Sequence, residues 1–386
     1  MAIMSREGRR TGVSLEVGHE GGNGMPGIRG WSLVTAVLAI MVFLGPAAIW
    51  SIAPIAIGPV QPTFARSSDT TPLVPHIISP ELTDPLIDQA LDDHYAWLDT
   101  SAPTNHQLFV LMPPTNGLPA RSQLLQQEAA RLGYHVIGLM YVDSFDINGL
   151  CAATPAPSSC MENAHFEVVY GSDASSVVEV NEPNSVVNRL TKLLEYLDTN
   201  YPHEGWSQFV INGQLNWAHI AVGGGSQGGA NAAMIAKQAL VPRVAMFSAI
   251  ADGLPFESLK CEGPRASTCC PSFPVGDNWL SAHLTPSARY WALGHDRDPF
   301  FPSICASWES LGMSAFGPAL APETSAPPYS CTHELVTDLK PEGGYKHAHV
   351  STFNDLYTPK NPDGTPTLAD AWQYLMTAES DSQECS

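Results

Sequence analysis

Basic side chains are scarce in this chain. Its 386 residues hold 18 Lys and Arg against 38 Asp and Glu, a formal net charge of -20. Such a balance repels phosphate backbones and anionic headgroups, so it argues against nucleic acid or a charge-recognised lipid surface as the main partner. A neutral or apolar ligand, small or polymeric, fits better. Also missing is any C-x-x-C pair or His/Cys cluster with zinc spacing, which weighs against a metal site. No internal repeat is present. Charged residues make up only 15% of the chain, yet 44% is hydrophobic and mean hydropathy is -0.03, so the sequence can bury a large core and is not disordered by composition.

Long apolar runs are likewise rare, and the exception lies near the N-terminus. Residues 31–45, "WSLVTAVLAIMVFLG", carry no formal charge and follow Arg29. A charged n-region followed by an apolar h-region reads as an export signal. The small residues Thr63 and Ala65 place the expected cut after Ala65. Apolar residues continue through "PAAIWSIAPIAIGPV", which keeps an uncleaved membrane anchor as the alternative, although Pro46, Pro54 and Pro59 weigh against one continuous spanning helix. The residues before Met25 are Gly-rich with no apolar period, and translation is expected to start at Met25. Residues 1–65 therefore read as N-terminal extension and signal or anchor, 66–86 as a Pro/Ser/Thr-rich linker, and 87–386 as the folded domain.

The eight cysteines, Cys151, Cys160, Cys261, Cys269, Cys270, Cys305, Cys331 and Cys385, all follow the signal and are even in number. In an exported chain they read as disulfides, and Cys151 with Cys160, closing "CAATPAPSSC", is the local pair expected.

From residue 107 onward apolar runs alternate with amphipathic stretches. "HQLFVLM", "YHVIGLM", "AHIAVGGG", "PRVAMFS" and "ARYWALG" read as buried strands. "ARSQLLQQEAARLG", "EPNSVVNRLTKLLEYLDTNYP", "GGANAAMIAKQAL" and "SICASWESLG" read as helices. Strands alternating with helices predict an α/β domain with a mostly parallel central sheet covered on both faces. The alternation fails across 253–288, a stretch rich in Cys, Pro and aromatics that is expected to form a disulfide-pinned cap or excursion.

One segment fits two incompatible motifs. In "AVGGGSQGGANAA", Gly223, Gly225 and Gly228 spell the phosphate-cradling G-x-G-x-x-G, while Gly224, Ser226 and Gly228 spell G-x-S-x-G, the turn that presents a nucleophilic serine. The nucleotide reading has its strand, turn, helix and an acid, Asp252, at the next strand's end. Against it, the motif lies deep in the chain behind other strand and helix units, and the export signal removes it from a nicotinamide pool.

The serine reading demands more of the distant sequence. Serine needs a histidine base and an orienting acid, here in the order Ser, Asp, His. "GHDRDPFFP" supplies Asp298, with Asp296 and Asp252 as alternatives. "YKHAHVST" supplies His349, with His347 as the alternative. His219 and His295 also lie near these motifs. For an oxyanion, Gln227 follows the serine at a helix N-terminus, and the loop "MPPTNGLP" offers the N-H of Thr115 or Asn116, since Pro113 and Pro114 have none. Gly117 permits close backbone approach there. Aromatics Phe273, Trp279, Trp291, Phe300, Phe301 and Trp308 fall around the cap and acid loop, either as pocket lining or as ordinary core.

Together "GGSQGG", "DRDPFFP", "AHVST" and the strand order resemble the α/β-hydrolase superfamily across 107–355, and within it secreted bacterial serine esterases of lipase, cutinase or polyester-depolymerase type. The resemblance departs from that pattern at Gly225, where those enzymes commonly carry His or Tyr. It implies attack by Ser226 on an ester carbonyl, proton transfer through His349 oriented by Asp298, and no metal or organic cofactor. A serine peptidase or amidase, or a non-catalytic envelope binding protein of the same fold, are the rival readings.

Overall fold

The computed structural model describes residues 73–153, 159–252 and 279–379. The apolar segment 31–45, the cut after Ala65, the start at Met25, Phe273, Cys261, Cys269, Cys270, Cys385 and positions 253–278 of the expected cap lie outside the described residues. Among those described, no helix is long and apolar enough to cross a membrane.

The chain enters through β1 (His76–Ile78), the short helix α1 (Pro80–Thr83) and β2 (His94–Trp97). It continues with β3 (Leu108–Met112), α2 (Gln123–Arg131), β4 (His135–Gly138), α3 (Ile147–Ala153), α4 (Cys160–Tyr170) and α5 (Val186–Asn200). A small hairpin, β5 (Val210–Ile211) and β6 (Gln214–Leu215), precedes β7 (Ile220–Gly225), α6 (Gln227–Gln238) and β8 (Val244–Phe247). The last elements are β9 (Tyr290–His295), α7 (Phe301–Ser310), β10 (Glu334–Thr337) and α8 (Ala369–Thr377). Eight strands make one sheet in the order β1-β2-β4-β3-β7-β8-β9-β10. β2 runs antiparallel to both its neighbours, and every pairing from β4 to β10 is parallel.

Side chains alternate across this sheet, and both faces are buried. Leu108, Val110 and Met112 of β3, Val222 of β7 and Met246 of β8 belong to the core shared with α4, α5, α6 and α7. Their neighbours Phe109, Leu111, Ala221, Ala245 and Phe247 belong to the opposite core, with α2 and α8. Burial on two faces is why these strands read as unbroken apolar runs rather than as alternating ones. Ser185 caps α5 by accepting from Asn188 N at 3.1 Å.

Where structure and sequence expectation differ, a polar residue or a short element is the cause. β1 lies inside the stretch read as linker, because a three-residue strand is defined by its backbone pairing to β2 and leaves no periodic pattern. α4 was not anticipated, since buried His165 and Glu167 interrupt its apolar face. The Glu167 carboxylate accepts the backbone N-H groups of Ala174, Ser175 and Val180, so its burial is compensated. The Cys151–Cys160 disulfide joins α3 to α4 as expected, with Cα atoms 5.8 Å apart, and Cys305 and Cys331 are disulfide-bonded too.

β10 was overlooked for a related reason, the buried Glu334 in "HELVT". Burial, with Glu309 nearby, raises its carboxyl to about 7, and its Oε1 finds no hydrogen-bond partner among the described residues. The native state therefore keeps a proton that the unfolded chain has released, and stability falls as pH climbs from the ordinary carboxyl value towards about 7. Glu334→Gln should match the parent in acid and exceed it by roughly 3 kcal/mol above neutrality. Denaturant titrations of both proteins across that range test this; a constant difference between them sinks it.

Candidate active site

β7 ends in the G-x-S-x-G turn, and the backbone there is unlike the rest of the strand. Ser226 has φ 51° and ψ -122°, a conformation L-residues rarely hold, and it is the N-cap of α6. Its own N-H is tied to Phe247 O at 3.0 Å, which anchors the turn to β8. Such a turn closes only if the flanks are small. A Cβ on Gly224 would lie 2.3 Å from the Gly228 carbonyl carbon, and one on Gly228 would lie 2.2 Å from Met112 O. Backbone atoms cannot swing aside, so Gly228→Ala should cost about 3 kcal/mol or more, read as a lowered denaturation midpoint. A variant as stable as the parent would show that α6 can shift away from β3.

Gly225, the departure from the family pattern, has a physical reason. A Cβ there would meet three Phe353 ring atoms at 2.6–2.7 Å. Phe353 belongs to the loop that carries His349, so the missing side chain lets that loop pack onto the elbow. Thr352 in the same loop bonds Ser248 at 2.9 Å through its hydroxyl and accepts from Trp372 Nε1 at 2.8 Å through its carbonyl. Asp355 accepts from Gln123 N and Leu124 N at the start of α2, and burial raises its carboxyl to about 6. The "HVSTFND" string is thus an anchored platform for the histidine.

His349 Nδ1 lies 2.7 Å from Asp298 Oδ2. Asp298 is only 3% exposed, and its Oδ1 accepts from Phe300 N at 2.8 Å. With Nδ1-H donated to the carboxylate, the ring's Nε2 is left as the basic nitrogen. The other acids have other partners. Asp296 Oδ1 is 3.5 Å from His295 Nδ1, and Asp252 Oδ2 is 2.8 Å from His165 Nε2. His347 stacks on Tyr357 with ring centroids 3.8 Å apart and does not line the cavity described next. His219 is exposed at the entry to β7, the far end from Ser226, and buried His295 holds Leu339 O through Nε2 at 2.9 Å.

Ser226, Gln227, His349 and Val350 open into one cavity of about 360 Å³. Its other walls are Pro114, Thr115 and Asn116 after β3, Asp146, Ile147 and Asn148 at the start of α3, Ala251 and Asp252 after β8, and Phe300. No hydrogen bond joins Ser226 Oγ to His349 here; such contacts are often long before a substrate binds. A larger cleft of about 680 Å³ opens beside Gln107, Tyr134 and Arg243, at the starts of β3, β4 and β8, and its described walls hold no serine, cysteine or histidine.

The two oxyanion candidates after β3 differ. Asn116 N-H is donated to Asp143 O at 3.1 Å, whereas Thr115 N-H has no acceptor among the described residues. The Thr115 hydroxyl also donates to Gln227 Oε1 at 3.1 Å, linking the two sides of the would-be hole. Asp143, missed in the sequence, secures this loop: its Oδ2 accepts from Gly117 N at 2.8 Å, and burial raises its carboxyl to about 7. A charged residue closing the apolar "MYVDS" run was the signal. Of the described members of that aromatic set, Phe300 lines the cavity. Trp279, Trp291, Phe301 and Trp308 are at most 8% exposed, and none borders it.

Behind Asp252 lies a second buried pair. His165, fully buried on α4, faces Asp252 through Nε2 and Asn231 Oδ1 through Nδ1 at 2.7 Å. Burial alone would lower this histidine, but the facing carboxylate and Asn231 outweigh it and hold it above its ordinary value.

Neither the family models nor the curated proteins compared with the chain match it. Among solved structures, it is similar to carboxyl esterase 2 from the mycorrhizal fungus Tuber melanosporum, at 11% identity and TM-score 0.41, over 80% of this chain and 88% of that one. It is also similar to an alpha-beta serine hydrolase homologue from Coxiella burnetii, at 11% identity and TM-score 0.29, over 58% of this chain and 74% of that one. The chain's own sheet order, its antiparallel second strand and the strained serine turn between β7 and α6 make this the α/β-hydrolase fold.

Proposed function

We propose that the protein is an exported serine hydrolase acting on carboxylic esters of lipid or polyester type. What supports this most directly is one juxtaposition. A serine on a strained elbow shares a cavity with a histidine whose far nitrogen is 2.7 Å from a buried aspartate.

In this reading His349 Nε2 takes the Ser226 proton as Oγ attacks the ester carbonyl. The oxyanion that forms is met by the N-H groups of Gln227 and Thr115. His349 then gives its proton to the departing alcohol, and Asp298 holds the ring's tautomer throughout. A water, deprotonated by His349 in turn, attacks the acyl-enzyme; the acid leaves and Ser226 regains its proton. Export goes with the same reading, supported by the segment 31–45 and by the closed Cys151–Cys160 bridge.

Purified protein should take up a fluorophosphonate probe at Ser226 and turn over nitrophenyl esters faster than peptide nitroanilides of matched length. Absence of both labelling and turnover overturns the reading. Amide turnover as fast as ester turnover makes the protein a peptidase or amidase instead.

A further inference from the structure

The buried pair of His165 and Asp252 takes no part in the mechanism above, yet its aspartate borders the same cavity. A carboxylate only 7% exposed is costly unless it is paired, and a buried ion pair is itself a weak source of stability. Its retention beside a reactive serine calls for another use. Three elements build it. Asp252 follows β8, His165 comes from α4 and Asn231 from α6, with buried Trp279 tilted against the His165 ring at 5.7 Å.

The two oxygens of Asp252 are not equivalent. Oδ2 is sealed from solvent and faces His165 at 2.8 Å. The other oxygen, unbonded to any described residue, is the one left to the cavity that Asp252 lines. With Oδ2 engaged by His165, the lone pairs of the other oxygen make Asp252 a hydrogen-bond acceptor on the cavity wall. Among the described residues that line the cavity there is Asp146 but no lysine or arginine, so a substrate carboxylate would meet acceptors with no compensating cation.

Resting on the esterase reading, we infer that Asp252 is a specificity-determining residue. It accepts a hydrogen bond from a hydroxyl or ammonium group of the ester, and so favours donor-bearing substrates over plain hydrocarbon or anionic ones. His165 is the positioning residue that fixes it. The hydroxyl and the ammonium share this chemistry, and the substrate panel separates them.

The test compares nitrophenyl butyrate with its β-hydroxy and β-amino analogues, and ethyl butyrate with glycol monobutyrate, in the parent, Asp252→Ala and His165→Gln proteins. The parent should prefer at least one donor-bearing ester over its plain partner by about tenfold in kcat/KM, and both variants should lose that ratio. A parent with no preference in any pair overturns the inference, as does a variant that slows donor-bearing and plain esters by the same factor. Should neither variant fold, inhibition of the parent by β-hydroxybutyramide against butyramide reads the same selectivity, and equal inhibition overturns it. Turnover of plain butyrate with labelling of Ser226 but no preference sinks this inference alone. Loss of both turnover and labelling sinks the esterase reading with it.

Discussion

Ser226→Ala is expected to lose ester turnover by about 10⁴-fold or more and to stop labelling with fluorophosphonate altogether. Oγ is the atom that becomes covalently bonded, and no neighbouring side chain can replace it. Alanine keeps the Cβ and hence the strained backbone at φ 51°, and the hydroxyl makes no hydrogen bond whose loss would unfold the turn. Stability should therefore stay within about 0.5 kcal/mol of the parent. The measurement is paired: active-site labelling and burst kinetics on one side, a denaturation midpoint on the other. A Ser226→Ala protein that labels like the parent moves the nucleophile elsewhere. One that loses activity only together with its fold contradicts the expected fold-neutral loss.

Asp298→Asn should cost about 10⁴-fold in kcat while leaving the fold intact, and the cause is the histidine tautomer. In the parent, Asp298 Oδ2 accepts from His349 Nδ1 at 2.7 Å and Oδ1 accepts from Phe300 N at 2.8 Å. An asparagine has one carbonyl oxygen for these two donors. If Oδ1 stays with Phe300 N, an amide N-H faces Nδ1, which must then be an acceptor. The ring proton moves to Nε2, the position that should take the serine's proton, and the base is lost. Asp296→Asn is the control, because Asp296 faces His295 rather than His349, and it should stay within about threefold of the parent. Steady-state kinetics on one nitrophenyl ester compares the two variants. Comparable losses would remove the special place given to Asp298, and a loss confined to Asp296→Asn would transfer the role to that residue.

Legibility along this chain followed burial and spacing. β3, β4, β7, β8 and β9 announced themselves because each is buried on both faces and so is written as an apolar run. α5 did so because Leu190, Leu193, Leu194 and Leu197 share one buried face. β1, α4 and β10 did not. In α4 and β10 buried polar residues break the apolar pattern: Glu167 meets N-H groups of the loop after its helix, while His165 and Glu334 are buried by elements distant in sequence, and β1 exists only as the partner of β2.

What the sequence determined by itself was local and combinatorial. Small residues around a serine dictate a sharp turn, alternating runs dictate a parallel sheet, and Ser, Asp and His motifs stand in an order compatible with one site. Three aspartates and two histidines then remained open, because residues tens of positions apart carry no mark of their distance in space. The tertiary structure separated them by hydrogen-bond geometry: Asp298 meets His349, Asp296 faces His295, and Asp252 faces a histidine on α4 that no motif had singled out. It also explained Gly225, an oddity in the string, as the space that Phe353 needs. Chain chemistry sets which groups can react; only packing brings the chosen pair within bonding distance and gives the others different partners.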